Sequence, residues 1–238
     1  MTSFDLSFNG VLASSLGVIV NIQPDRMRAK ERMESITIPG RPGALHQTEG
    51  EDVFDVIILN PQCTLMNPAK LDAVCAWLRG SGKLIFGDDP NYCYEATVIN
   101  QIPLARVLEG ADPRSFAPTF ECQPFRYLTL PAADIIKTSS GQTLNNPGTV
   151  ASVPVIKVEG TGDVTLTVGG YMVTLNDLTG GIIIDGVMRD CLNLTRTGFL
   201  NNLMAGDFRY IRIPAGASTL SWTGNVTRVT VTPNWRWL

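Results

Sequence analysis

Apolar and polar residues alternate with period two along most of this chain, and only one stretch keeps a helical period. Phe4, Leu6 and Phe8 alternate up to an Asn9-Gly10 turn signal. Ile36-Thr-Ile38 predicts a short strand that stops at Pro39-Gly40-Arg41-Pro42-Gly43, where two Pro/Gly pairs specify a rigid, sharply bent loop. Val53–Leu59 reads as a strong strand. The helix follows: Asn67 suits an N-cap, Pro68 the first helical position and Gly80 the position after the last turn. Between them Leu71, Val74, Cys75 and Leu78 fall at i, i+3, i+4 and i+7, one apolar stripe that should pack on a sheet. Lys83–Phe86 and Tyr92–Val98 flank Gly87-Asp-Asp-Pro-Asn91 and predict a hairpin, and Phe116–Phe125 supplies another strand.

The segment from Pro131 to Pro147 is rich in Ser, Thr, Asn, Pro and Gly and reads as a linker. Beyond it, short strands recur at Val153–Val158, Val164–Val168, Met172–Leu175, Ile182–Ile184, Tyr210–Ile213, Thr219–Trp222 and Val226–Thr232, with no helix. Gly169-Gly170 joins two of them as a two-residue hairpin turn. At the end of the chain Val229, Val231, Trp235 and Trp237 alternate, although Pro233 calls for an edge position or a bulge. The expectation is a mainly β protein: an N-terminal domain over 1–130 with one helix, a linker over 131–148, and a β-sandwich over 149–238. Trp222, Trp235 and Trp237 should anchor that second domain, because each buried indole removes about 150–250 Å² from water.

Composition narrows the class. At 44% hydrophobic and 17% charged, the 238-residue chain is globular in character, and no run approaches the ~18–20 apolar residues of a membrane span, so no membrane insertion is expected. Met1–Leu6 is strand-like, with no basic-then-apolar leader, which leads us to expect synthesis in the cytoplasm. Cys63, Cys75, Cys93, Cys122 and Cys191 have unmatched spacings and should be reduced thiols, in neither a zinc ribbon nor a disulfide framework. Residues 1–128 carry 11 Lys/Arg against 15 Asp/Glu, and 129–238 carry 8 against 7. Neither part has the basic excess of a nucleic-acid binder. The cationic cluster Arg26, Arg28, Lys30 and Arg32 is diluted by Asp25, Glu31 and Glu34 and reads as a solvated arm whose role is open.

Candidate chemistry is thin. His46 is the single histidine, and triads and most transition-metal sites need histidine among partners. Asp88-Asp89 could hold a hard cation, but adjacent residues on extended backbone point to opposite faces and Pro90 follows, so turn chemistry is the better reading. Trp222, Trp235, Trp237, Tyr171 and Tyr210 could form a sugar platform, yet their alternation with Val and Ile favours a core. We expect no enzyme, no catalytic or metal-ligating residue and no cofactor.

Several ordered segments resemble one family. They are Phe8-Asn-Gly10 with Leu16-Gly17, Ile36-Thr-Ile-Pro-Gly-Arg-Pro-Gly-Ala-Leu45, Trp77-Leu78 with Gly80–Phe86 and Asp88-Asp-Pro90, and Phe120–Tyr127. Asn146-Pro-Gly-Thr149 with Pro154–Val158, Trp222-Thr-Gly224 and the terminal Trp235-Arg-Trp-Leu238 continue the series. Together they are similar to the distal tail proteins (Dit) of long-tailed, non-contractile bacteriophages. The resemblance implies an N-terminal domain of β-sandwich or split-barrel type and a galectin-like or carbohydrate-module-like C-terminal sandwich. It further implies a homo-hexameric ring at the tail tip of the virion, formed mainly by the N-terminal domains. That hub joins the tail tube to tip or baseplate proteins, and DNA passes its lumen without specific binding. On this resemblance Ile38, Pro39, Gly40 and Arg41 fall at the ring interface, and the outer domain has a receptor-binding protein or a cell-surface glycan as candidate partner. A ring of acidic N-terminal domains should have a neutral or negative lumen. The competing readings are a carbohydrate-binding sandwich module and another tail component such as a tube subunit.

Overall fold

Period-two alternation is realised as antiparallel strands in the computed structural model, which describes residues 2, 4–106 and 113–238. The chain is mainly β and divides into two compact units, one running to Thr129 and taking in Leu238, the other spanning Leu130–Trp237.

In the first unit, Val11–Leu12, Leu6–Phe8, Ser81–Phe86, Tyr92–Val98 and Phe120–Leu128 pair in that order, and Ile57–Leu59 joins the start of Phe120–Leu128. A second sheet runs Ala105–Arg106, Arg114–Phe116, Gln62–Leu65, Val18–Ile22. Both sheets feed one core in which Leu6, Phe8, Leu59, Leu65, Leu84 and Phe120 are fully buried, with Phe8 and Phe120 edge to face at 5.2 Å. Pro124 cannot donate to a ladder, and the register shifts between Cys122 and Arg126, a bulge that lets one strand pair on both sides of the proline. The hairpin Ser81–Phe86/Tyr92–Val98 turns through residues 87–91. The strand expected over Val53–Leu59 is shorter, Ile57–Leu59, because Phe54 makes only an isolated bridge to Glu31.

The helix is Leu71–Trp77, entered through a 3-10 turn at Pro68–Lys70 whose first amide, Ala69 N–H, is accepted by the Asn67 side chain at 3.0 Å. Val74 and Leu78 are buried and Leu71 packs beside them in the core. Cys75 departs from the expected stripe and is exposed. On so short a helix Val74, Trp77 and Leu78 already form the i, i+3, i+4 face, and buried Trp77 donates Nε1–H to the Phe8 carbonyl at 3.0 Å.

In the second unit two long strands, Val155–Val168 and Gly216–Thr232, form a ribbon that bends through both layers of a sandwich. The first half of Val155–Val168 carries Ile182–Asp185, followed by Asp190–Leu192; its second half carries Tyr171–Thr179, followed by Met204–Ala205. Four strands expected as separate are thus two continuous ones. The glycines between those segments sit at register shifts, between Glu159 and Gly160 and between Thr161 and Thr165. Gly224 shows why the bend needs glycine: its φ is +95° and a Cβ there would lie 2.2 Å from the Asp163 carbonyl oxygen. The Val168/Tyr171 hairpin turns on Gly169 and Gly170, both with positive φ (57° and 91°), the two-residue turn whose twist matches its strands.

Two expectations need correction here. Residues 131–148 are not a plain linker: Ile135–Lys137 and Gln142–Asn146 both pair with Gly216–Thr232, and Leu144 is buried. Their few apolar residues are enough because a sheet-edge strand buries only one face. Tyr210–Ile213 is a 3-10 turn, Phe208–Tyr210, followed by an isolated bridge of Ile213 to Ser152. At the chain end, the strand stops at Thr232 before Pro233, and Asn234 takes a left-handed φ of 49°. Trp222 and Trp235 are buried and Trp237 half-buried.

Candidate assembly surfaces and the charged arm

The Ile38-Pro-Gly-Arg41 loop sits at the tip of a two-stranded hairpin, Met33–Ile36 with Leu45–Thr48, whose register runs from Met33↔Thr48 to Ile36↔Leu45. The loop is tight: Arg41 N–H reaches the Ile38 carbonyl at 3.1 Å, and Gly40 and Gly43 both hold left-handed φ, 81° and 78°. Every residue of Leu45–Thr48 is exposed, as are Met33, Glu34 and Ser35 on the opposing strand. A two-stranded hairpin without a packed face is marginal in water. Met33, Ile38 and Leu45 nevertheless stand exposed on it, with Met27 and Val56 exposed on the flanking segments, which is the composition of a surface that expects cover.

The second such surface is the strand Val18–Ile22, the free edge of the four-stranded sheet. Val18 and Val20 point into the core, Ile19 and Ile22 stand out at about half exposure (51% and 53%), and a register shift between Val20 and Ile22 accounts for the three-residue spacing. No charge or proline guards this edge, although edge strands usually carry one or the other. Sequence reading passed over it. The available signal was an uncharged, β-branched run, Val-Ile-Val-Asn-Ile.

The charged run is an arm of extended chain pinned by ion pairs. Arg26 bridges Asp88 (3.1 Å) and Asp89 (3.2 Å), and Asp89 also receives Arg126 at 3.0 Å. The Arg126 guanidinium stacks over the Tyr92 ring at 5.0 Å. Hydrogen bonding to Asp88 raises the Arg26 pKa further. Arg32 lies between Asp55 (3.1 Å) and Glu49 (3.6 Å). Asp88 and Asp89 therefore serve a turn and a clasp: Asp89 N–H also closes the turn on the Phe86 carbonyl at 3.1 Å. Sequence reading could not pair Arg26 with residues 62 positions away.

Among the described residues no group of three or more His, Cys, Asp or Glu is placed to hold a metal ion, and no helix is long and apolar enough to cross a membrane. His46 lies on the exposed hairpin, opposite Ser35. The five cysteines are free thiols, and burial pushes Cys63, Cys122 and Cys191 up to about 12, far from the thiolate a nucleophile requires. Of the aromatic residues weighed as a sugar platform, Trp222 and Trp235 belong to the core, while Tyr171 and Tyr210 stack on each other at 5.5 Å with ring planes 8° apart.

Comparison with known proteins fits this architecture from end to end. No protein-family model matches the chain, and no curated protein matches it by sequence. Among solved structures it is similar to the SPP1 Dit (gp 19.1) protein, described as a paradigm of the hub adsorption apparatus in phages infecting Gram-positive bacteria. The match covers 98% of this chain and 99% of that one, with a TM-score of 0.72 at 15% identity. The chain has the Dit fold. Both units take part in that likeness, since neither could be missing from a 98% match.

Proposed function

We propose that this chain is a non-enzymatic structural protein of a phage tail-tip adsorption hub. Six copies form a ring through their first units, between the tail tube and the tip or baseplate proteins, and DNA crosses the central opening without specific binding. The observation that carries this reading is the end-to-end likeness to a hub protein across both units. Physical support comes from the first unit, which offers two different uncovered surfaces, the Val18–Ile22 edge and the Met33–Thr48 hairpin. Unlike surfaces that meet between copies give head-to-tail contacts, which form a ring when the rotation between copies closes and a filament when it does not. In this reading Ile38, Pro39, Gly40 and Arg41 lie at the contact between neighbours, and the protein resides in the virion after synthesis in the bacterial host. The lumen is neutral or negative, because the first unit is acidic overall and two of its exposed arginines, Arg26 and Arg32, are already matched by carboxylates.

Negative-stain imaging with mass measurement of the purified protein tests the ring. Closed rings of six are expected. Rings of another number, or rings that persist in a variant lacking residues 33–48 and carrying Ile19→Lys, would contradict the assembly described.

A further inference from the structure

We infer that residues 24–28 form a strap, latched across the first unit by Arg26, which opens as ionic strength rises and uncovers an apolar and aromatic wall beneath it. The strap runs between two fixed ends. Ile22 pairs with Gln62 at the close of the edge strand. At the other end Ala29 is buried in the core, and Asp55 N–H reaches the Lys30 carbonyl at 2.8 Å. Between these ends, among the described residues, no backbone hydrogen bond holds residues 24–28. Asp25, Arg26, Met27 and Arg28 are exposed, and only Pro24 is half-buried. So little burial and so few backbone bonds place a segment at the low end of local stability.

The wall is ordered where the strap is not. Pro24 and Arg26 line a small cleft together with Leu59, Phe86 and Tyr94. Leu59 and Tyr94 are buried and Phe86 is half-buried. These three come from three strands of one sheet, Ile57–Leu59, Ser81–Phe86 and Tyr92–Val98, so the wall does not depend on the strap for its place.

The latch is built from charge. Arg26 reaches Asp88 at 3.1 Å and Asp89 at 3.2 Å. Its seat is braced: Arg126 holds Asp89 at 3.0 Å, and Tyr92 N–H reaches the Asp89 carbonyl at 3.2 Å across the turn. The strap therefore moves and the turn does not. Asp25, Arg26 and Arg28 leave the strap with one net positive charge, and Asp88, Asp89 and Arg126 leave the seat with one net negative charge. The Arg26 and Asp88 side chains are 55% and 42% exposed, so salt reaches their contact. The screening length falls from about 10 Å at 0.1 M salt to about 3 Å at 1 M, the length of the ion pairs themselves.

Hydroxyl-radical footprinting of the purified chain, read residue by residue by mass spectrometry, tests the strap at about 0.05 M and about 1 M salt. Oxidation of Tyr94 is taken relative to Phe199, an exposed residue of the second unit, so that any effect of salt on the radicals cancels. Phe8, fully buried in the first unit's core, reports whether that unit stays folded. In the parent, relative oxidation of Tyr94 should rise at least about threefold at high salt while Phe8 stays protected. Arg26→Gln should show the high value at both salt concentrations, and Arg26→Lys, which keeps the charge, should regain the salt dependence. Oxidation of Tyr94 that ignores salt in the parent, or that is the same in Arg26→Gln as in the parent, would overturn the inference. Oxidation of Phe8 rising together with Tyr94 would overturn it as well, because the unit would then open as a whole and not through the strap.

Discussion

Asn146 shows how a single side chain organises a loop. Buried within the second unit, its amide donates to the Val150 and Ile213 carbonyls, both at 3.0 Å, and its carbonyl oxygen accepts Gly148 N–H at 2.8 Å. Asn146→Ala leaves three buried or half-buried backbone groups without that partner and should destabilise the unit by about 3 kcal/mol, read as a lower denaturation midpoint. Trp77→Phe keeps the ring but strands the Phe8 carbonyl, so a smaller loss of about 1–2 kcal/mol is expected in the first unit. Glu159 makes a prediction in pH. Arg228 and Lys157, both hydrogen-bonded to its carboxylate, hold its pKa down at about 2. A lowered folded pKa means the stabilisation is complete above the unfolded value of ~4.3 and is lost as pH falls from there toward the folded value. Thermal melts between pH 5 and 2, at roughly half-unit steps, should therefore fall less steeply in Glu159→Gln than in the parent.

Elements defined by local chemistry were legible in the sequence, and those defined by distant partners were not. The Asn67 cap, the Gly169-Gly170 turn and the hairpin around residues 87–91 depend on neighbours in the chain, and each stands where its residues place it. The two long strands were hidden because a glycine inside a strand and a glycine between strands look alike in sequence; only pairing across the sandwich separates them. Ile135–Lys137 and Gln142–Asn146 were missed for the same reason, since their order comes from the distant strand Gly216–Thr232, as in the pairs Ile135↔Val231 and Asn146↔Gly216. The candidate surfaces were half legible: the Pro/Gly loop announced itself, whereas the bare edge Val18–Ile22 is visible only as the end of a sheet. Val74→Asp places a charge in the fully buried face of the helix and should unfold the first unit; an unchanged melting temperature would refute that packing. Ile19→Lys, on the exposed face of the edge strand, should leave the unfolding free energy within about 0.5 kcal/mol of the parent while blocking assembly, because surface changes of this kind rarely affect folding.

At the scale of the whole molecule, Asp88 and Asp89 are paired with Arg26, and Asp89 with Arg126 as well, so these carboxylates join the charged arm to the hairpin turn. The terminal Trp-Arg-Trp-Leu serves structure too. Trp235 is buried in the second unit, Thr149 N–H reaches the Arg236 carbonyl at 3.2 Å, and Leu238 packs on the core of the first unit. Place matters as much as shape, since a tube subunit or a sugar-binding module would put the same sandwich elsewhere. The most direct test is averaged cryo-electron imaging of phage particles carrying a compact tag on this chain. Tag density is expected only at the tail tip, six-fold about the tail axis, between the last tube ring and the tip proteins. Tag density repeating along the tube, or absent from the particle, would contradict it.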